Sequence, residues 1–94
     1  MARPRRALFG FAIGPAATEF LDQLPAGKLR RQITRKARAL ATAPHPQGCK
    51  KLRGMKSGTD SVWRVRSGDY RILYVARPTE VIVIDIDHRK DVYP

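Results

Sequence analysis

Three side chains that suit chemistry at a phosphate follow the last apolar run of the sequence, VIVIDI: His88, Arg89 and Tyr93. Histidine exchanges protons near neutral pH, arginine binds phosphate oxygens through two parallel N–H groups, and tyrosine can stack on a nucleic-acid base. Two further arginines, Arg64 and Arg71, occur in the preceding strand-like runs. These residue types could transfer a proton at a phosphate whose developing charge is held by fixed cations.

The charge of the chain indicates the class of its partners. Its 94 residues include 19 Lys and Arg against 8 Asp and Glu, for a formal net charge of +11. No acidic residue lies between Asp22 and Asp60. Such a field attracts polyanions: nucleic acid, a membrane surface or an acidic protein. A single cysteine, Cys49, excludes an internal disulfide and favours a reducing compartment, so we expect a cytoplasmic protein.

The first half of the sequence predicts one strand and two helices. Apolar residues over 6–13 predict a strand, which Gly14-Pro15 ends. Apolar positions at helical spacing over 17–24 predict a short helix that Pro15 can begin. A second apolar stripe over 29–41 follows the break at Pro25-Ala26-Gly27, and the two helices form a hairpin.

The second half predicts a loop and three strands. A basic loop is expected to run from APHPQG through KKLRG and SGTD. VWRVRS, YRILYVA and VIVIDI then predict a meander, with Trp63 and Val65 on an apolar face and Arg64 and Arg66 on a cationic one. The order β-α-α-β-β-β predicts a single α+β domain over 1–94, with an antiparallel-rich sheet and the helical hairpin on one face.

Four segments in this order and spacing, KKLRGM, VWRVRSGDYRILY, VIVIDI and HRKDVY, resemble the RelE/ParE superfamily of small bacterial toxins. The resemblance covers nearly the whole chain and is closest to the RelE branch. It implies a toxin that cleaves messenger RNA in the ribosome, without metal or other cofactor and without a membrane partner. It also implies a cognate RelB-like antitoxin. The ParE branch shares the fold but poisons DNA gyrase, and its members typically lack the His or Arg and Tyr ending.

The resemblance also implies the catalytic residues. Nuclease members carry a basic residue, an arginine, a basic pair and a terminal aromatic at the positions that are here Arg64, Arg71, His88-Arg89 and Tyr93. The strand position that is often lysine is Val62 in this chain. Arginine is not deprotonated in proteins, so His88 is the better acid or base. We expect Arg71 and Arg89 to stabilise the phosphoryl charge and Tyr93 to position the nucleotide.

A second set of basic residues is expected to bind RNA along its backbone. The set is Lys50, Lys51, Arg53, Lys56, Arg66, Arg31, Arg35 and Arg38. The three helical arginines could equally form only a solvated face. The acidic side chains of Asp69, Asp85 and Asp87 could imitate a metal cluster, although nearby Arg or Lys can pair with them instead. Two other functions stay open: gyrase inhibition and non-catalytic RNA binding.

Overall fold

The computed structural model describes residues 10–88, which form seven elements. These are β1 Gly10–Ile13, α1 Pro15–Gln23, α2 Lys28–Ala39, β2 Lys50–Ser57, β3 Asp60–Ser67, β4 Tyr70–Arg77 and β5 Glu80–His88. The strands form one sheet in the order β1-β5-β4-β3-β2, in which β1 is parallel to β5 and the other pairs are antiparallel. The predicted α+β class, with an antiparallel-rich sheet, is confirmed. The first part of the predicted first strand, 6–9, lies outside the described residues.

The helical hairpin covers one face of the sheet, as predicted. Ala17 and Leu21 of α1 and Ile33 and Ala37 of α2 are buried in one cluster with strand residues such as Ile72. The spacing of four residues places each pair on one side of its helix. We call this covered side of the sheet the helix face and the other side the distal face.

The distal face has a smaller apolar cluster of its own. Val62, Leu73 and Val75 are buried there, with Leu52 and Ile84 packed against them. The central strand β4 is therefore apolar on both faces, which explains why ILYVA reads as a continuous hydrophobic run rather than an alternating one.

The strand β2 corrects the prediction of a loop at KKLRG. Its residues pair with β3 only at the two ends, with an irregular register between Lys51 and Lys56. Gly54 in that irregular segment has a φ of 76°, which a glycine adopts readily. Because β2 is an exposed edge strand with a bulge, its sequence has no period of two, and the strand cannot be recognised from hydrophobic alternation.

Tyr74 of β4 connects the sheet to the segment that follows α2. Its side chain is completely buried, and its hydroxyl donates a hydrogen bond of 2.6 Å to the Pro44 carbonyl oxygen. Burial raises the pKa of Tyr74 far above its ordinary value, and the neighbouring Cys49 thiol adds to the shift. The phenol is therefore held in its neutral, hydrogen-donating form.

We expect Tyr74→Phe to lower the free energy of unfolding by about 1–2 kcal/mol, because the Pro44 carbonyl loses its donor. The pKa of Tyr74 is higher in the folded state than the value of about 10 in the unfolded state. The contribution is therefore complete below about pH 10 and declines at higher pH, where the unfolded chain releases the proton. Urea unfolding of both proteins at several pH values would measure a difference that shrinks with alkaline pH. A difference that grows would contradict this assignment.

Candidate phosphate site on the distal face

Three arginines share one end of the distal face. Arg64 and Arg66 alternate with the helix-face residue Val65 on β3. In the β3–β4 register Arg64 lies opposite Leu73, a member of the apolar cluster on the distal face, and Arg66 lies opposite Arg71. The structure therefore puts Arg64 and Arg66 on one face, as the apolar and cationic alternation of VWRVRS predicts, and the β3–β4 register adds Arg71 to them.

The edge strand adds a fourth cation to this group. Lys50 of β2 lies directly opposite Arg64. Like charges placed directly opposite each other on neighbouring strands are destabilising, and here the pattern occurs twice, at Lys50 with Arg64 and at Arg66 with Arg71. A group of cations of this kind attracts anions such as phosphate. We call Lys50, Arg64, Arg66 and Arg71 the distal cation cluster.

An acidic residue of β5 is also part of this end of the sheet. Asp87 of β5 lies opposite Arg71 and accepts from its Nε at 3.1 Å and from its Nη2 at 3.5 Å. The Arg71 side chain is only 10% exposed and that of Asp87 23% exposed. The two-point contact fixes the plane of the guanidinium group.

His88 projects from the other face. It lies opposite Tyr70, and the two rings meet edge to face with their centroids 4.7 Å apart. Tyr70 in turn contacts Phe20 of α1, with ring centroids 5.7 Å apart. The structure thus separates His88 from the three arginines, although its neighbour Asp87 binds Arg71. Arg89 and Tyr93 lie outside the described residues.

The other basic residues of β2 lie away from the distal cation cluster. Lys51 lies opposite the helix-face residue Trp63, and Lys56 lies opposite Ser61 on the same side. Arg53 is exposed in the irregular segment between them. Of this group predicted to bind RNA, only Lys50 joins the distal cation cluster.

The arginines of α2 form a separate exposed surface. Arg31, Arg35 and Arg38 are all exposed, as the helical stripe predicts, and they line a shallow cavity of about 430 Å³. Arg38 also lies over the Phe11 ring, 6.0 Å from its centroid. A second groove of about 540 Å³ is lined by Arg35, Lys36 and Arg66 among others. Arg66 therefore connects the α2 surface with the distal cation cluster.

The acidic residues of β5 do not assemble a metal site with Asp69. Asp87 binds Arg71, and Asp85 accepts a 2.8 Å hydrogen bond from the Ile86 N–H group. Over residues 10–88, no three His, Cys, Asp or Glu side chains are close enough to hold a metal ion. In the same range, no helix combines the length and apolar character needed to cross a bilayer.

Comparison with known families gives one match over most of the chain. The sequence profile of the ParE toxin of the type II toxin-antitoxin system, parDE, matches residues 13–93. Among curated protein sequences there is no match.

Solved structures share the fold. The RelBE2 toxin-antitoxin complex of Mycobacterium tuberculosis is 26% identical with a TM-score of 0.71, over 88% of this chain and 93% of that one. The archaeal RelE-RelB complex of Pyrococcus horikoshii is 23% identical with a TM-score of 0.70, over 87% and 96%. The YoeB dimer of Staphylococcus aureus is 15% identical with a TM-score of 0.66, over 87% and 98%.

Proposed function

We propose that this chain, which belongs to the ParE toxin family of type II toxin-antitoxin systems within the RelE/ParE superfamily, cleaves messenger RNA on the ribosome, as its resemblance to the RelE branch implies. The observation that carries the proposal is the distal cation cluster. Four cations on one end of one face, two pairs of them directly opposite each other, make a site for phosphate groups rather than for a neutral ligand.

The proposed reaction needs no metal. The 2′-oxygen of one nucleotide attacks the adjacent phosphorus and loses its proton to a base, while the bond to the 5′-oxygen breaks and that oxygen takes up a proton. The products are a 2′,3′-cyclic phosphate and a 5′-hydroxyl. Arg64 and Arg71 stabilise the charge that develops on the phosphoryl oxygens, and Arg89 serves the same role from beyond the described residues.

His88 is the proposed proton-exchanging group. Val62, at the position where relatives often carry lysine, is completely buried in the apolar cluster of the distal face and has no titratable group. Arg64 does not act as a base because arginine keeps its proton. His88 is on the helix face at the last position of β5, so the proposal puts the scissile phosphate at this end of the sheet. Tyr93 would then position the nucleotide by stacking.

The proposed partner is an acidic antitoxin of the RelB kind, alongside messenger and ribosomal RNA. The net charge of +11 favours an acidic chain, which would lie across the sheet or a basic groove with one helix. The toxin-antitoxin complexes of Mycobacterium tuberculosis and Pyrococcus horikoshii are built on the same fold. The exposed arginines of α2 are proposed to contact ribosomal RNA phosphates.

Inhibition of DNA gyrase is the second candidate function. It is favoured by the ParE name of the matched family and by the packing of His88 against Tyr70, away from the arginines. A binding inhibitor needs no proton transfer, so it does not require His88 to lie beside the arginines.

A purified translation reaction would test the proposed function. We expect primer extension to detect cuts within the codons of a translated messenger after addition of the toxin, and few cuts when ribosomes are omitted, because the ribosome presents the RNA. Equal cutting with and without ribosomes would contradict ribosome dependence. An intact messenger in both reactions would contradict RNA cleavage.

A further inference from the structure

Asp87 is an acidic residue that directly contacts a cation of the proposed site. The β3–β4–β5 register puts Arg66, Arg71 and Asp87 in one row across the distal face. Asp87 binds Arg71 at two points, and both side chains are largely shielded from water. The pair is therefore a fixed part of the site and not a mobile surface ion pair.

The position of Asp87 has two electrostatic consequences. It offsets the repulsion between Arg66 and Arg71, which lie directly opposite each other. It also shares the positive charge of Arg71, so that an RNA phosphate in the ground state gains less from this arginine than from an exposed one such as Arg66. The Asp87 carboxylate thus improves the orientation of Arg71 while it lowers the affinity of the site for RNA.

We propose that Asp87 is a positioning residue, which holds the Arg71 guanidinium group in place for the transition state while it lowers the affinity of the site for bound RNA. This inference rests on the proposed RNA cleavage. Rigid positioning of Arg71 stabilises the transition state and so raises the cleavage rate, whereas the shared charge weakens RNA binding in the ground state. Loss of the carboxylate should therefore move rate and affinity in opposite directions.

The test is Asp87→Asn, with affinity measured by fluorescence anisotropy on a short 2′-O-methyl RNA, which the toxin cannot cleave. Arg71 would gain a phosphate contact, so the slope of log affinity against log salt should steepen by about 0.7. The gain in RNA affinity on lowering the salt from 1 M to 0.1 M should therefore be about fivefold larger in the variant than in wild type. The single-turnover cleavage rate on the ribosome should fall by roughly 10- to 100-fold.

Asp60→Asn is the matched control. Asp60 is also on the distal face and binds Arg77 Nε at 3.1 Å, but at the opposite end of the sheet. It removes the same charge, so only an effect of position separates the two variants. Equal changes in both variants, or a loss of both rate and affinity in Asp87→Asn, would overturn the inference.

Asp87→Glu keeps the inference testable if Asp87→Asn does not fold. It retains the negative charge and displaces it by one methylene, so the salt slope should stay at the wild-type value while cleavage slows. A wild-type cleavage rate in this variant would count against positioning. If the wild-type protein itself neither binds nor cleaves RNA, the proposed function fails. If the wild-type protein is active and Asp87→Asn has the same cleavage rate and RNA affinity, only the inference about Asp87 fails.

Discussion

Arg64→Ala should reduce messenger cleavage on the ribosome by about 10²- to 10³-fold, the usual cost of removing one donor that stabilises a developing oxyanion. Arg64 is half-buried in the distal cation cluster, opposite Lys50. In the proposed reaction its charge acts mainly in the transition state, so the loss should appear in the single-turnover rate at saturating toxin rather than in RNA affinity alone.

Arg77→Ala is the control for that variant. Arg77 is on the same face but at the other end of β4, where it is half exposed and binds Asp60. Its replacement also removes one positive charge, and cleavage should stay within about twofold of wild type, as expected for a surface change away from the site. Comparable losses from both variants would mean that the overall charge of the face, and not the cluster, determines activity.

His88→Ala should have an effect of the same order or larger, a loss of about 10²- to 10⁴-fold in cleavage rate, because the proposed general acid or base is removed. Single-turnover cleavage of a translated messenger would measure this loss against wild type.

The packing of His88 on Tyr70 requires its own control. Tyr70→Leu removes the aromatic partner and leaves the imidazole, so it should lower the free energy of unfolding by about 1 kcal/mol with little change in cleavage. If His88→Ala loses no more activity than Tyr70→Leu, then His88 is a packing residue, and the proton-transfer group lies elsewhere.

Much of the fold follows from local patterns in the sequence. The stripe that includes Ile33 and Ala37 predicts α2, and Pro15 begins α1 as expected. Strand β2 does not follow from such a pattern, because an exposed edge strand with a bulge buries no face of its own. It forms a strand because it pairs with β3, and this pairing cannot be read from the local sequence of β2.

The site is predictable in its residue types but not in its geometry. Alternation in VWRVRS puts Arg64 and Arg66 on one face, and the structure agrees. The relation of this face to His88 depends on the register of β4 with β5, which pairs Tyr70 with His88 and Arg71 with Asp87. Sequence spacing does not determine a register between strands. The expected grouping of His88 with Arg71 therefore could not be checked before the fold was known.

The register also gives Asp87 a defined partner. The sequence allows Asp85 and Asp87 either to pair with nearby cations or to contribute to a metal cluster. The structure shows that Asp87 pairs with Arg71, whereas Asp85 accepts a hydrogen bond from the Ile86 N–H group. Asp87 thus belongs to the electrostatics of the arginine site, through its contact with Arg71.

The central claim, that this toxin is a ribonuclease that uses the 2′-hydroxyl, is tested most directly by the end groups of its products. The toxin should be added to a translation reaction and, in parallel, to purified gyrase with plasmid DNA. We predict that the messenger is cut on the ribosome, that each downstream fragment carries a 5′-hydroxyl, and that the plasmid is not cleaved. An intact messenger together with gyrase-dependent breaks in the plasmid would contradict the claim.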